Sequence, residues 1–204
     1  MMTDNPRQPG SLRQAWLVIL LALLYGGALA ATQTTLGPRI AENQRRETYR
    51  VIPTLVAVDG AAKVQPVTLA LADGKKQEVF RVVADDGATA GWVLPAHGQG
   101  FQDRIDLLIG VTPDVATILG LYILDQKDTP NLGSLITEEP YLGQYRGMPT
   151  DPKIVVVTSA PTTTCQIRSV TGATISSTSV AEIVNRTIES LKTPIRRWRA
   201  ENKP

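Results

Sequence analysis

The chain has 204 residues, 21 Lys and Arg against 19 Asp and Glu, one His, one Cys and a hydrophobic content of 43%. A single Cys and a single His exclude an iron–sulfur cluster or a structural zinc site, each needing about four Cys or His ligands, and also a covalent c-type haem, which needs a Cys-x-x-Cys-His run. A net charge of +2 without a clustered basic face argues against nucleic acid as a partner, and apart from the one conceivable pair, His97 with Cys165, the chain offers no catalytic constellation and no metal site.

In chain order, residues 1–14 read as a short cytoplasmic arm and residues 15–37 as a transmembrane helix. No charged residue falls between Gln14 and Pro38, and a helix of this length spans a bilayer core of about 30 Å. The same stretch also fits a cleaved signal peptide, with Arg7 and Arg13 as its basic start, residues 16–25 as its apolar run and Ala28-Leu29-Ala30 as a cleavage pattern. Arg13 on one side and Arg39, Arg45, Arg46 and Arg50 on the other leave the charge rule undecided, but a short arm favours staying inside. Residues 39 onward are therefore expected outside the cytoplasmic membrane. Residues 38–62 read as a connecting helix and linker, the charged run 39–50 being helical and ended by Pro53.

The body, residues 63–194, begins as strand country. Runs at 64–71, 79–84, 88–95, 105–110 and 115–124 are β-branched or apolar and are separated by turn residues such as Asp86-Gly87 and Pro113-Asp114, which predicts an antiparallel sheet. A short helix is expected within 133–145 and a further strand at 153–159. From Ser176 to Leu191 apolar residues recur at helical spacing, with Pro194 closing the run, and residues 195–204 form a basic tail carrying Arg196, Arg197, Arg199 and Lys203. Strands followed by a terminal helix make an α+β fold, antiparallel-sheet-rich and preceded by one N-terminal transmembrane helix.

The stretch from Ser169 to Thr178 crowds hydroxyl residues around Gly172 at the mouth of the last helix. Unpaired amides and the positive end of the helix dipole attract phosphate there. The composition equally suits a plain helix cap, with Ser176 or Ser177 as N-cap and Gly172 in a tight turn.

Thr171-Gly172-Ala173-Thr174 followed by Ser176-Ser177 resembles the S/T-G-A-T-x-S/T signature of the FMN-binding domain in the G subunit of the Rnf electron-transport complex and the C subunit of the sodium-pumping NADH:quinone reductase. Lys127-Asp128-Thr129-Pro130-Asn131-Leu132-Gly133 resembles the K-E-T-P-G-L-G segment of the same family, and Gly98-Gln99-Gly100-Phe101 with Ile105 its G-x-G-Y…I segment. The order of these segments, the N-terminal apolar run and the length are closest to the Rnf G subunit. The resemblance implies FMN as cofactor, joined to Thr174 through a phosphoester by a flavin transferase, with Thr171, Gly172, Ala173, Ser176 and Ser177 around the phosphate and Asp128, Thr129, Leu132 and Gly133 beside the ring. It further implies an electron-relay subunit, without catalytic residues of its own, in an inner-membrane ferredoxin:NAD oxidoreductase coupled to ion transport, with the other Rnf membrane subunits as partners. An anchored or secreted extracytoplasmic FMN carrier or sensor outside such a complex is the alternative.

Three positions depart from the family pattern: Arg168 stands where an Asp is usual, Asp128 replaces Glu, and Asn131 replaces Gly at a place where Asn tolerates left-handed backbone. Arg168 suits either a phosphate contact or plain solvent. His97 is expected in a solvent-facing loop, and Cys165 as a small packed residue.

Overall fold

A computed structural model describes residues 11–56 and 63–202. Most of the arm expected at 1–14, the last part of the linker and Lys203 of the basic tail lie outside the described residues. The chain divides into two compact units, residues 1–45 and 46–204.

Helix α1 runs without interruption over Ser11–Val56, so the expected membrane segment and connecting helix are one element. Its apolar part is long enough to cross a bilayer, and side chains such as Leu20, Leu23, Leu24 and Leu29 are exposed, as lipid-facing residues would be. Pro53 does not end the helix, contrary to expectation. It sits one turn before the end, where Val51, Ile52, Leu55 and Val56 are buried against the second unit's sheet.

That sheet has five antiparallel strands in sequential order: β1 (Lys63–Ala70), β2 (Lys76–Val83), β3 (Thr89–Gln99), β4 (Arg104–Val111) and β5 (Ile118–Asp125). The turn at Asp86-Gly87 is the expected hairpin, with Gly87 at φ +81°. β3 continues past the predicted boundary through Pro95 and His97, so His97 is an exposed strand residue and not a loop residue. Pro95 is tolerated because the β2–β3 ladder stops at Phe80 and Val93; beyond it the Pro95 carbonyl accepts from the Gln77 side chain at 2.8 Å and no ladder amide is missing.

Pleating sends alternate residues to opposite faces. Trp92, Leu94, Ile105, Leu107 and Ile109 face the main core, while Phe80, Val82, Val93 and Leu108 form a second cluster beneath the end of α1. Glycines in three adjacent strands, Gly91, Gly110 and Gly120, make room for Leu55 and Val56. Tyr122 donates to Glu47 at 2.9 Å on the same face, and Glu47 also receives Arg50 at 2.6 Å.

The other face is covered by α3, Thr174–Glu201, through Val180, Ile183, Val184, Ile188, Leu191 and Ile195. The helix passes through Pro194 instead of ending there, and the expected basic tail is helical to Glu201. Ile195 is fully buried, and the Trp198 ring stands edge-on to Trp92 with centroids 5.3 Å apart and Arg81 above it. Between sheet and α3 the chain forms 3-10 turns at Gly133–Thr137 and Gly143–Tyr145, flanking the short helix α2, Glu139–Leu142. A small parallel pair completes the domain, β6 (Val155–Val157) beside β7 (Gln166–Arg168); β7 has no counterpart among the predicted strands. Asn185 of α3 fastens the pair, exchanging two 2.9 Å hydrogen bonds with the Ile154 backbone.

Candidate functional site

Three segments meet at the start of α3. The first is the tip of the β3–β4 hairpin, where Gly100 N–H donates to the Asp103 carbonyl at 2.8 Å and Phe101 is left 55% exposed. Gln102 ties this tip to the second segment, its amide donating to Asp128 Oδ1 at 3.1 Å and its side chain to Thr129 Oγ1 at 3.2 Å.

The second segment, residues 127–134, is a tight loop. Leu132 and Ser134 amides both donate to the Thr129 carbonyl at 3.2 Å, the Asn131 amide to Ser134 Oγ at 3.0 Å, and Asn131 adopts φ +60°. Asn thus meets the left-handed requirement that the exchange for Gly raised. Gly133 packs directly on Asp128: a Cβ there would lie 2.5 Å from the Asp128 Cβ.

The third segment is the turn 169–174. Ala173 N–H donates to the Val170 carbonyl at 3.0 Å, and Gly172 takes φ +82°. A Cβ on Gly172 would come within 2.9 Å of Leu132 Cδ2, so the second and third segments are in direct contact. The N-cap of α3 is Ala173, with no side-chain capping bond. The capping role open to Ser176 or Ser177 is therefore filled by neither; Ser177 is buried and its Oγ accepts from the Val170 amide at 3.1 Å. The amides of the first turn keep their donor capacity.

These segments enclose a cavity of about 370 Å³ lined by Phe101, Thr129, Leu132 and Gly133 on one side and Gly172, Ala173, Thr174, Ile175 and Ser176 on the other. Of the ten candidate residues, seven line it; Thr171 is exposed beside it, Asp128 lies buried behind Gly133, and Ser177 is buried in the first turn of α3. The sequence reading misses Ile175, although a bulky apolar residue among hydroxyls is its signal, and takes Phe101 only as part of a motif. Phe101, Leu132 and Ile175 are 55%, 47% and 58% exposed. Three large apolar side chains around one opening suit a flat apolar ring, while free amides and hydroxyls at a helix N-terminus suit a phosphate. The residues present thus fit FMN.

Beneath the helix start lies a buried pair of phenols. Tyr141 OH donates to the Ser177 carbonyl at 2.9 Å and lies 2.9 Å from Tyr145 OH, so Tyr145 must donate to Tyr141. Burial raises both above the ordinary tyrosine value, Tyr145 well above it. Arg168 lines a neighbouring cavity of about 460 Å³ with Glu138, Gln144 and Ser169, not the one holding Thr174, and its backbone is gripped at both ends by the Gln144 amide. His97 and the buried Cys165 line neither of these two cavities.

Residues 100–189 match the FMN-binding domain family. The chain is 31% identical over 173 residues to the G subunit of the ion-translocating oxidoreductase complex of Methanosarcina acetivorans, covering 83% of this chain and 84% of the relative. It is 28% identical to the G subunit of the proton-translocating ferredoxin:NAD(+) oxidoreductase complex of Clostridium ljungdahlii, covering 85% and 88%. In fold it is similar to the crystal structure of Shewanella oneidensis NqrC, with a TM-score of 0.66 at 19% identity, covering 78% of this chain and 99% of that one. With an apolar helix, a five-stranded antiparallel sheet, a closing helix and an FMN-binding domain, the chain belongs to the family of G subunits of Rnf-type ion-translocating oxidoreductase complexes.

Proposed function

We propose that this protein is the FMN-bearing electron-relay subunit of a membrane-bound ferredoxin:NAD oxidoreductase coupled to ion transport, working alongside the other membrane subunits of that complex. Residues 15–37 of α1 anchor it in the inner membrane and the domain from 63 onward stands on the periplasmic or extracytoplasmic side, in keeping with the apolar unburied helix and the short preceding arm. The observation that carries the reading is the seating of Leu132 on Gly172, which closes the loop at 127–134 onto the start of α3 and makes one cavity from two motifs.

When bound, FMN supplies the electron-transfer chemistry that this chain's side chains lack. The protein's part is to hold and orient. First-turn amides of α3, with the hydroxyls of Thr174 and Ser176 and the tight turn at Gly172, hold the phosphate at the positive end of the helix dipole. Phe101, Leu132 and Ile175 would offer the ring an apolar wall. The exposed Thr174 is the point of covalent attachment. A flavin transferase acting on this turn would join Thr174 Oγ to the flavin phosphorus as the phosphorus–oxygen bond to the leaving nucleotide breaks, the hydroxyl proton going to that leaving group.

Co-expression with a flavin transferase, followed by denaturing electrophoresis, tests this. Wild type is expected to keep in-gel flavin fluorescence and Thr174→Ala to lose it. A yellow native protein whose fluorescence disappears on denaturation would overturn the phosphoester but not the site, and Arg168→Asp would then be examined for gain of attachment. Protein without flavin in either state would overturn the reading itself.

A further inference from the structure

Asp128 is a buried acid whose position the site has not explained. Only 5% of the residue is exposed; Oδ1 accepts from the Gln102 amide, while Oδ2 is buried with no hydrogen-bond partner among the described residues. Among the described residues it makes no ion pair, and its neighbour Lys127 pairs with Asp103 at 3.1 Å. A carboxyl oxygen buried without compensation is destabilising, and such groups persist where function uses them.

Its neighbour supplies the use. A Cβ built on Gly133 would lie 2.5 Å from the Asp128 Cβ and 3.3 Å from Oδ2, and Gly133 is part of the cavity wall. One glycine, without a side chain, is all that separates the acid from the space assigned to the flavin. We propose that Asp128 sets the reduction potential of the flavin, holding it low by the field of its carboxylate acting through Gly133 without touching the ring. The inference rests on FMN occupying this cavity. Negative charge close by opposes the gain of an electron, and the burial of Asp128 leaves that opposition less screened than between exposed groups. Low-potential electrons then meet a carrier that does not trap them.

Asp128→Asn keeps an oxygen acceptor for Gln102 and removes the charge, while an NH2 takes the place of the unpartnered Oδ2; agreement with Asp128→Ser, which brings no such group, separates the loss of charge from the added donor. In the flavin-loaded full-length protein, spectroelectrochemical titration is expected to show a higher midpoint potential. The expected size is about tenfold in the oxidised-to-reduced ratio at fixed ambient potential, about 59 mV for a one-electron couple. Asp128→Glu is expected to keep the low potential. If Asp128→Asn does not fold, Asp128→Ser, which also retains an oxygen acceptor without charge, decides in its place. A charge-free variant that carries flavin at the wild-type potential would overturn the inference and leave the flavin site standing; wild-type protein carrying no flavin would overturn the site, and the inference with it.

Discussion

Among the described residues the Tyr145 hydroxyl has one hydrogen-bond partner, the hydroxyl of Tyr141, and Tyr141 passes the bond on to the Ser177 carbonyl in the first turn of α3. Removing the middle member is therefore worse than removing the end. Tyr141→Phe leaves the fully buried Tyr145 hydroxyl without a partner, at about 1–3 kcal/mol, whereas Tyr145→Phe deletes one bond and strands no donor, at about 0.5–1.5 kcal/mol. The double variant is expected to cost less than the two singles added, measured by denaturant unfolding. The pair also dictates a pH window. Because burial raises both phenols above 10.0, the folded protein keeps protons that the unfolded chain has lost above that pH. Their contribution is full below pH 10 and falls as pH rises beyond it, so the wild type should lose stability steeply in alkali and the double Phe variant less so. Nothing in the residue pattern announces this network, because Tyr141 and Ser177 are 36 positions apart. The hydroxyl cluster itself is legible in the sequence as a phosphate site or a cap. The geometry leaves the capping role unfilled, placing Ser177 on the Val170 amide and the first-turn donors without a side-chain cap.

At the scale of elements, the strands are legible because β-branched and apolar runs are separated by turn residues, and the two helix ends are not, because proline is a local signal overruled by packing. An interior proline costs about 3 kcal/mol. Past Pro53, burial of Leu55 and Val56 with Val51 and Ile52 on the turn before returns about 1.5–3 kcal/mol for each side chain, enough to carry α1 another turn. Past Pro194, Ile195 and the Trp198–Trp92 contact do the same for α3. The strand β7 is illegible for a different reason: it has three residues and borrows its stability from β6 and the Gln144 side chain. How α1 lands on the sheet depends on glycine. A Cβ on Gly110 would sit 2.8 Å from the Leu55 carbonyl oxygen, backbone that cannot move aside, while one on Gly120 would meet the flexible end of Leu55 at 3.2 Å. Gly110→Ala is accordingly expected to destabilise by about 1–3 kcal/mol and Gly120→Ala by clearly less. Equal midpoints in urea for the two variants would contradict this seating of α1.

At the scale of the whole molecule, the order of motifs points to the family while the limits of the folding unit stay hidden, since helix ends and short strands carry no family signature. The residue pattern puts the limits of the body at 63 and 194, whereas the compact unit runs from residue 46 and takes in the helical residues after Pro194. The difference is testable with two soluble fragments. A fragment of 46–204 keeps the last turns of α1 over Phe80, Val82, Val93 and Leu108, which are now almost fully buried. A fragment of 63–194 uncovers those four side chains, at about 6–12 kcal/mol in all, and also loses Ile195 and Trp198 from the main core. That loss is comparable with the roughly 5–15 kcal/mol that holds a typical domain together. The longer fragment is therefore expected to be monomeric, with a cooperative thermal transition and a near-ultraviolet dichroism signal from the Trp92–Trp198 pair. The shorter one should bind a hydrophobic dye, associate on size-exclusion chromatography and unfold without a sharp transition. A shorter fragment that melts cooperatively at the same temperature would mean that residues 46–56 merely rest on the sheet and that neither they nor the turns after Pro194 add folding energy to the domain.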